Sequence, residues 1–154
     1  MGTEGLREGD YDLARFVEAQ EDAGNFERAL TELRGGRKTT HWMWFVFPQL
    51  AGLGQSPTSR HFAISSLGEA RAYLDHETLG PRLLQCAAIV ADLPETSALA
   101  IFGPLDAQKL RSSMTLFLRA APEEPTFRRV LDRFFGGESD PFTDRLLAEA
   151  EPRS

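Results

Sequence analysis

The chain has 154 residues, of which 42% are hydrophobic and 26% are charged, so the composition excludes wholesale disorder and suits one globular domain. Its 17 Lys and Arg residues face 23 Asp and Glu residues, and the net charge of −6 disfavours general binding to a nucleic-acid backbone. A single cysteine, Cys86, excludes an internal disulfide and a zinc site built from cysteines.

The ends of the chain and its apolar runs indicate the compartment. Residues 1–10 are rich in Gly and acidic side chains and lack the apolar run that a secretory signal needs. No apolar stretch reaches the ~18 residues that span a bilayer, so we expect a cytoplasmic protein without a membrane segment. We also expect loose ends at residues 1–10 and 151–154, around one helical domain over residues 11–150.

Apolar residues recur at helical spacing along this domain. Capping residues and prolines place helix starts at Asp12, Asn25, Ser66, Thr78, Ser97, Pro104, Glu123 and Asp140. Glycines are expected to end helices at Gly35-Gly36, Gly103 and Gly136. Because no segment shows the sustained alternation of a strand, the sequence predicts an all-α, compact, single-domain bundle of about six to eight short-to-medium helices.

The aromatic run from Thr39 to Gln49 fits two kinds of structure. Its composition fits a buried strand, because aromatic residues favour strands. Thr40 also suits the N-cap of a short helix that Pro48 ends, and the helical character of the remaining chain favours this helix. The Gly-rich stretch from Leu50 to Pro57 is predicted to be a loop.

Familiar catalytic and nucleotide-binding motifs are absent from the sequence. The stretch Gly35–Thr39 lacks the glycine that a phosphate loop needs before its lysine, because Arg37 stands there. The stretch Gly52–Ser56 is neither a dinucleotide fingerprint nor a nucleophile elbow. None of the histidines forms the helical pair of a zinc site, and we expect no metal and no cofactor; they are His41, His61 and His76.

Residues 38–59 combine aromatic rings with polar side chains, as a small-molecule pocket does. The candidate ligand-binding residues in this segment are Lys38, Trp42, Trp44, Gln49 and Ser56, and the candidate catalytic residue is His41. On a helix, His41 would share a face with Trp44 and Phe45. The alternative is that the aromatic side chains form core and that His41 is a packed, hydrogen-bonded histidine.

Residues 109–117 form the second candidate segment. On a helix, an apolar stripe is formed by Leu110, Met114 and Phe117. The candidate ligand-binding residues fall on another face, and they are Lys109, Ser112 and Ser113. One cation and two hydroxyl groups suit a phosphate or a carboxylate. Alternatively, this is a solvated face whose serines bond back to helix carbonyl groups.

At these two segments and around them, the chain resembles a bacterial family known as domain of unknown function 1810. The resemblance is carried by Asp12–Phe16 with Ala19-Gln20, Gly36–Gln49 with Gly52–Gly54, Tyr73-Leu74 with His76, Leu79–Leu83, Ile101–Gly103 and Lys109–Phe117. It implies a compact, mainly helical domain and no established activity. Members are sometimes labelled calpastatin, a disordered inhibitor poor in aromatic residues, which the 11 Phe of this chain contradict. One departure is Phe62, where the family has a tyrosine.

Two functional hypotheses follow from these segments. In the first, Lys109 and Lys38 bind an anionic group, and Trp42 or Trp44 stacks on a planar group. A nucleotide or an ADP-ribose-like metabolite carries both groups. His41 would act as general acid or base, because an imidazole exchanges protons near neutral pH, and the sequence leaves open whether the chain is an enzyme. This hypothesis requires the two segments to be neighbours in the fold.

In the second hypothesis, the chain is a helical protein–protein interaction module or a homodimer without enzymatic activity. An exposed apolar patch near Phe45 or Phe134 would favour it. Binding to nucleic acid ranks below both hypotheses, because the acidic chain opposes the three arginines of one predicted helix, which are Arg128, Arg129 and Arg133.

Overall fold

The computed structural model describes residues 11–94 and 97–150 of the chain. Within these ranges the chain is helical, with an isolated bridge between Leu50 and Ile64 and no strand, so the all-α prediction is confirmed. The helices are α1 (Ala14–Glu21), α2 (Asn25–Arg34), α3 (Met43–Val46), α4 (Pro57–His61), α5 (Leu67–Asp75), α6 (Leu79–Asp92), α7 (Ala98–Ala120), α8 (Pro125–Phe135) and α9 (Pro141–Ala150). The loose ends predicted for residues 1–10 and 151–154 lie outside the described residues.

Local hydrogen bonds confirm three of the predicted helix starts. The Ser97 hydroxyl accepts a hydrogen bond from the backbone N–H of Ala100 at 3.1 Å, at the start of α7. The Ser66 hydroxyl accepts a hydrogen bond from the backbone N–H of Glu69 at 3.1 Å, at the start of α5. The Asp140 carboxylate accepts one from the backbone N–H of Thr143 at 3.1 Å, at the start of α9. Each bond satisfies a backbone donor that the first turn of a helix would otherwise leave without a partner.

Three other predicted caps are wrong. Helix α1 begins at Ala14 without a side-chain cap from Asp12. Asn25 is the first residue of α2 rather than its N-cap, because a tight 3-10 turn joins α1 to α2 and ends at Gly24 with φ of 70°. Helix α3 begins at Met43, since the Thr40 hydroxyl donates to the Glu32 carboxylate at 2.6 Å instead of capping it.

Glycine ends α2 as predicted. Gly36 has φ of 75°, in the left-handed region. The N–H of Gly36 donates to the Leu33 carbonyl at 3.0 Å and the N–H of Arg37 to the Glu32 carbonyl at 3.1 Å, which is a Schellman motif. Gly103 likewise interrupts α7 with φ of 79° and ψ of 168°, and Pro104 opens the long second part, as the separate helices of the prediction required.

The core lies around the long part of α7, which packs against α3, α5, α8 and α9. A chain of ring contacts crosses it from Phe16 to Tyr73 at 5.1 Å between centroids, then to Phe117 at 5.4 Å and to Phe127 at 5.8 Å. Cys86 is buried in the same core, and burial raises the pKa of its thiol to about 12, so it is an inert thiol. Within residues 11–94 and 97–150, no helix has both the length and the apolar character needed to cross a bilayer.

Candidate ligand site between the aromatic segment and α7

The two candidate segments are neighbours in the structure. The Nζ atom of Lys109 on α7 lies 5.7 Å from the centroid of the Trp44 ring on α3. A backbone hydrogen bond also joins the start of the first segment to the first part of α7, because the N–H of Lys38 donates to the Ile101 carbonyl at 2.9 Å. The two segments are therefore close in the fold, as the first functional hypothesis requires.

A lysine–aspartate cluster, formed by Lys38, Asp106 and Lys109, lies at this junction. The Lys38 ammonium is 2.7 Å from one Asp106 carboxylate oxygen, and the Lys109 ammonium is 3.4 Å from the other. These two residues are the only lysines of the chain, whose other basic side chains apart from histidine are all arginines. Two cations on one carboxylate leave the cluster with a net positive charge.

The two lysines of the cluster differ in exposure and in how closely they contact Asp106. The Lys38 side chain is 6% exposed, and its ammonium also donates to the Thr40 carbonyl, so it is fixed inside the protein. The Lys109 side chain is 21% exposed and makes the longer contact with Asp106. Lys109 is therefore the more accessible of the two cations, and Lys38 is the more enclosed.

Glu32, which sequence reasoning missed, anchors the loop before α3. Its carboxylate accepts hydrogen bonds from the N–H of Thr39 at 2.8 Å, from the N–H and hydroxyl of Thr40 at 3.0 and 2.6 Å, and from the Trp42 indole at 2.8 Å. Partial burial raises the pKa of Glu32, but these hydrogen bonds outweigh it and lower the pKa to about 2. A carboxylate that stays ionised holds the loop rigidly beside α7.

The two tryptophans have different surroundings. Trp42 is 1% exposed, and its indole N–H is already bonded to Glu32, so it belongs to the core and offers no face to a ligand. Trp44 is only partly buried, and its Nε1 atom is buried without a hydrogen-bond partner among the described residues. Of the two indoles, Trp44 is therefore the one that keeps some exposed surface.

A small cavity lies beside Trp44. It is lined by Trp44, Gln49, Leu50, Gly54, Ser59, Phe62 and Ala63, and its volume of about 10 Å³ is the space of roughly one water molecule. Gln49 is therefore a neighbour of Trp44, as the hypothesis expects. Ser56 does not line the cavity, because its hydroxyl caps α4 by accepting from the N–H of Ser59 at 3.1 Å.

The two serines of α7 also differ. The Ser112 hydroxyl is within hydrogen-bond distance of the Gln108 carbonyl, at 3.1 Å, and of the Asp140 carboxylate, at 3.0 Å, so it serves the start of α9. Ser113 is fully buried, and its hydroxyl has no partner among the described residues. One helical turn separates it from Lys109 on the same face of α7.

His41 is exposed and precedes α3 instead of lying on it. The expectation that it shares a helical face with Trp44 and Phe45 is wrong, because α3 begins at Met43 and Phe45 is 7% exposed in the core. His41 still adjoins Thr40 and Trp42, which Glu32 fixes. In the part of the chain that the structure describes, His, Cys, Asp and Glu form no group of three that could hold a metal ion.

These observations define an all-α domain with an aromatic and cationic site between α3 and α7. The chain belongs to the family described as protein of unknown function (DUF1810), whose model matches residues 10–147, so the family resemblance is confirmed. The chain is also similar to the conserved hypothetical protein Rv1873 of Mycobacterium tuberculosis, whose crystal structure was determined at 1.38 Å. That likeness has 51% identity and a TM-score of 0.86, and it covers 90% of this chain and 97% of that one. The search of curated proteins gave no match.

Proposed function

We propose that this chain is a cytoplasmic protein that binds a small anionic metabolite with a planar group, such as a nucleotide or an ADP-ribose-like compound. The observation that carries the proposal is the position of the Lys109 ammonium, 5.7 Å from the Trp44 ring. This contact presents an aromatic face and a cation at one place. Because the cavity beside Trp44 has room for about one water molecule, the planar group of the ligand stacks on the exposed part of Trp44 at the protein surface, and its anionic group pairs with Lys109.

Energetics favour exchange of the Lys109 ammonium from the ring to the ligand. A partly exposed cation–π contact is worth about 0.5–1 kcal/mol. A hydrogen bond to a charged group is worth about 1.5–3 kcal/mol, so an anion in reach of Lys109 draws the ammonium away from the ring. The contact of 3.4 Å with Asp106 is longer than an ordinary charge-assisted bond, and it opposes this movement weakly.

Other residues of the site take supporting roles in the proposal. Lys38, fixed by Asp106, adds positive charge without touching the ligand. Gln49 is a polar neighbour of Trp44, and the Ser113 hydroxyl, one helical turn from Lys109, is a polar group without a partner among the described residues. If the bound metabolite reacts, we assign the role of general acid or base to His41, because its exposed imidazole lies next to the rigid loop at Thr40.

Calorimetric titration of the full chain tests the proposal, with AMP, ADP and ADP-ribose as ligands and inorganic phosphate as the simple anion. We expect saturable binding of the nucleotides, weakened about tenfold or more by Lys109→Met. Arg28→Met, which removes an exposed cation from α2, is the matched control and should leave the affinity unchanged. Absence of binding, or equal affinity in the Lys109 variant, would refute the proposal.

A second candidate function is supported by two exposed leucines. Leu99 is 60% exposed and Leu105 is 76% exposed, and they flank the interruption of α7 at Gly103. The apolar patch expected at Phe45 is absent, because that side chain is buried. For an interaction module or homodimer, sedimentation should show a mass that rises with concentration and returns to the monomer value in Leu105→Ser. A monomer at all concentrations argues against a homodimer.

A further inference from the structure

A second pocket, of about 520 Å³, lies between the start of α5 and the end of α9. Its lining includes Leu67, Gly68 and Arg71 of α5 and Leu146, Leu147 and Glu149 of α9. Leu50 also lines the small cavity beside Trp44, but the other lining residues belong to this pocket alone. Its volume falls within the roughly 300–1,000 Å³ of small-molecule sites.

The walls of this α5–α9 pocket are mainly apolar. Leu67 on α5 and Leu146 and Leu147 on α9 all line it, and each remains only partly buried. The protein's own side chains therefore do not fill the space between these leucines. An apolar ligand of matching size would remove their exposed surface from water, which is favourable.

The charged residues of the pocket indicate which chemical class of ligand it binds. Arg71 on α5 is exposed, and within the described residues its guanidinium pairs with no carboxylate. Its one hydrogen bond to the described residues, from Nε to the Ala120 carbonyl, is long at 3.4 Å. The guanidinium fork therefore has donors left for a carboxylate, which it binds better than any neutral group. Glu149 lines the α9 side of the pocket and carries the opposite charge.

We propose that the α5–α9 pocket binds a small carboxylic acid with an apolar chain, such as a medium-chain fatty acid. Arg71 holds the carboxylate, and the apolar chain lies between Leu67 and the leucines of α9. A phosphate or other bare anion would leave these leucines in water, whereas a neutral apolar molecule would make no ion pair with the Arg71 guanidinium. The charge of Glu149 opposes the acid, so the two charged residues affect affinity in opposite directions.

Titration of the ¹⁵N-labelled full chain with octanoate, followed by amide chemical shifts, tests this site. We expect saturable shifts centred on Gly68, Leu146 and Leu147. Arg71→Gln should weaken octanoate binding about tenfold to a hundredfold, the contribution of a charge-assisted hydrogen bond. Glu149→Gln should strengthen binding a few-fold. Arg60→Gln, an exposed arginine of α4, is the matched control and should change nothing.

Octanol and octylamine serve as the neutral and cationic probes. The proposal is overturned if octanol binds as tightly as octanoate, if octylamine binds better, or if the shifts lie outside the pocket. It is also overturned if Arg71→Gln and Glu149→Gln shift the affinity in the same direction. Circular dichroism shows whether Arg71→Gln alters the fold. If it does, the effect of Glu149→Gln on octanoate affinity still tests the proposal, because that variant is measured separately.

Discussion

Replacing Glu32 by glutamine tests how firmly the loop beside α7 is held. The Glu32 carboxylate accepts hydrogen bonds from Thr39, Thr40 and Trp42. Three of the donors, the N–H groups of Thr39 and Thr40 and the Trp42 indole, share one carboxylate oxygen, and the Thr40 hydroxyl bonds the other. A glutamine can keep its oxygen on the three shared donors, but these bonds lose the negative charge of their acceptor. Because a hydrogen bond to a charged group is worth about 1.5–3 kcal/mol and one to a neutral group about 0.5–1.5 kcal/mol, we expect Glu32→Gln to lower the free energy of unfolding by about 2–4 kcal/mol.

The pH dependence of the free energy of unfolding gives an independent measure of how much the Glu32 carboxylate stabilises the fold. Burial raises the pKa of Glu32, but the hydrogen bonds from Thr40, Thr39 and Trp42 lower it from the ordinary value of 4.5 to about 2. Because the folded pKa lies below the unfolded one, this contribution is complete above pH 4.5 and is lost as the pH falls toward 2. This change in pKa corresponds to at most about 3–4 kcal/mol, which solvent screening at this partly exposed group reduces to about 1–2 kcal/mol.

Urea unfolding of the wild type and Glu32→Gln, at about pH 7 and about pH 2.5, measures both effects. The difference in free energy of unfolding should be largest at neutral pH and should shrink in acid. Glu27→Gln removes an exposed carboxylate from the same helix, and it should stay within about 0.5 kcal/mol of the wild type. A difference below about 1 kcal/mol at neutral pH, or one that is constant with pH, would refute the reasoning.

Two further predictions concern α7, and urea unfolding at neutral pH measures both. Asp106→Asn leaves the nearly buried Lys38 without its carboxylate and should cost about 2–4 kcal/mol, whereas Asp92→Asn breaks only an exposed ion pair and should cost less than about 1 kcal/mol. Equal losses would show that Asp106 does not hold the cluster. Ser113→Ala should be neutral or stabilising by up to about 1 kcal/mol, because the hydroxyl has no partner, whereas Ser112→Ala should destabilise by about 1–2 kcal/mol. The reverse order would show that the Ser113 hydroxyl is bonded.

The helices could be predicted where their ends depend on neighbouring residues. The Ser66 cap, the Gly36 motif and the interruption at Gly103 each involve atoms a few residues apart, so local sequence determines them. Prediction failed at Thr40, whose hydroxyl bonds Glu32 on the preceding helix. It also failed at Asn25, whose amide donates to the Ala19 carbonyl across the 3-10 turn. A polar side chain that can cap a helix can equally bond elsewhere, and packing decides between the two.

The sequence predicted which two segments form the candidate site, but not how their side chains are arranged. The aromatic run and the residues after Lys109 stood out by composition, and the structure brings Trp44 and Lys109 together. The choice between Trp42 and Trp44 could not be read from the sequence, because it depends on which indole reaches Glu32. Ser112 and Ser113 are adjacent on one helix, yet only Ser112 faces Asp140, since α9 packs on that side.

The chain has two lysines, one in each candidate segment, and sequence reasoning missed this feature. In a chain whose other basic side chains are arginines or histidines, Lys38 and Lys109 converge on the single carboxylate of Asp106. An arginine at either position would bind that carboxylate through its planar fork and would hold it strongly. An ammonium group is a compact charge that fits over an indole ring and changes partners readily. Because the two lysines lie one in each candidate segment, their positions were a reason to expect these segments to meet. That Asp106 is the carboxylate they share could be learned only from the fold.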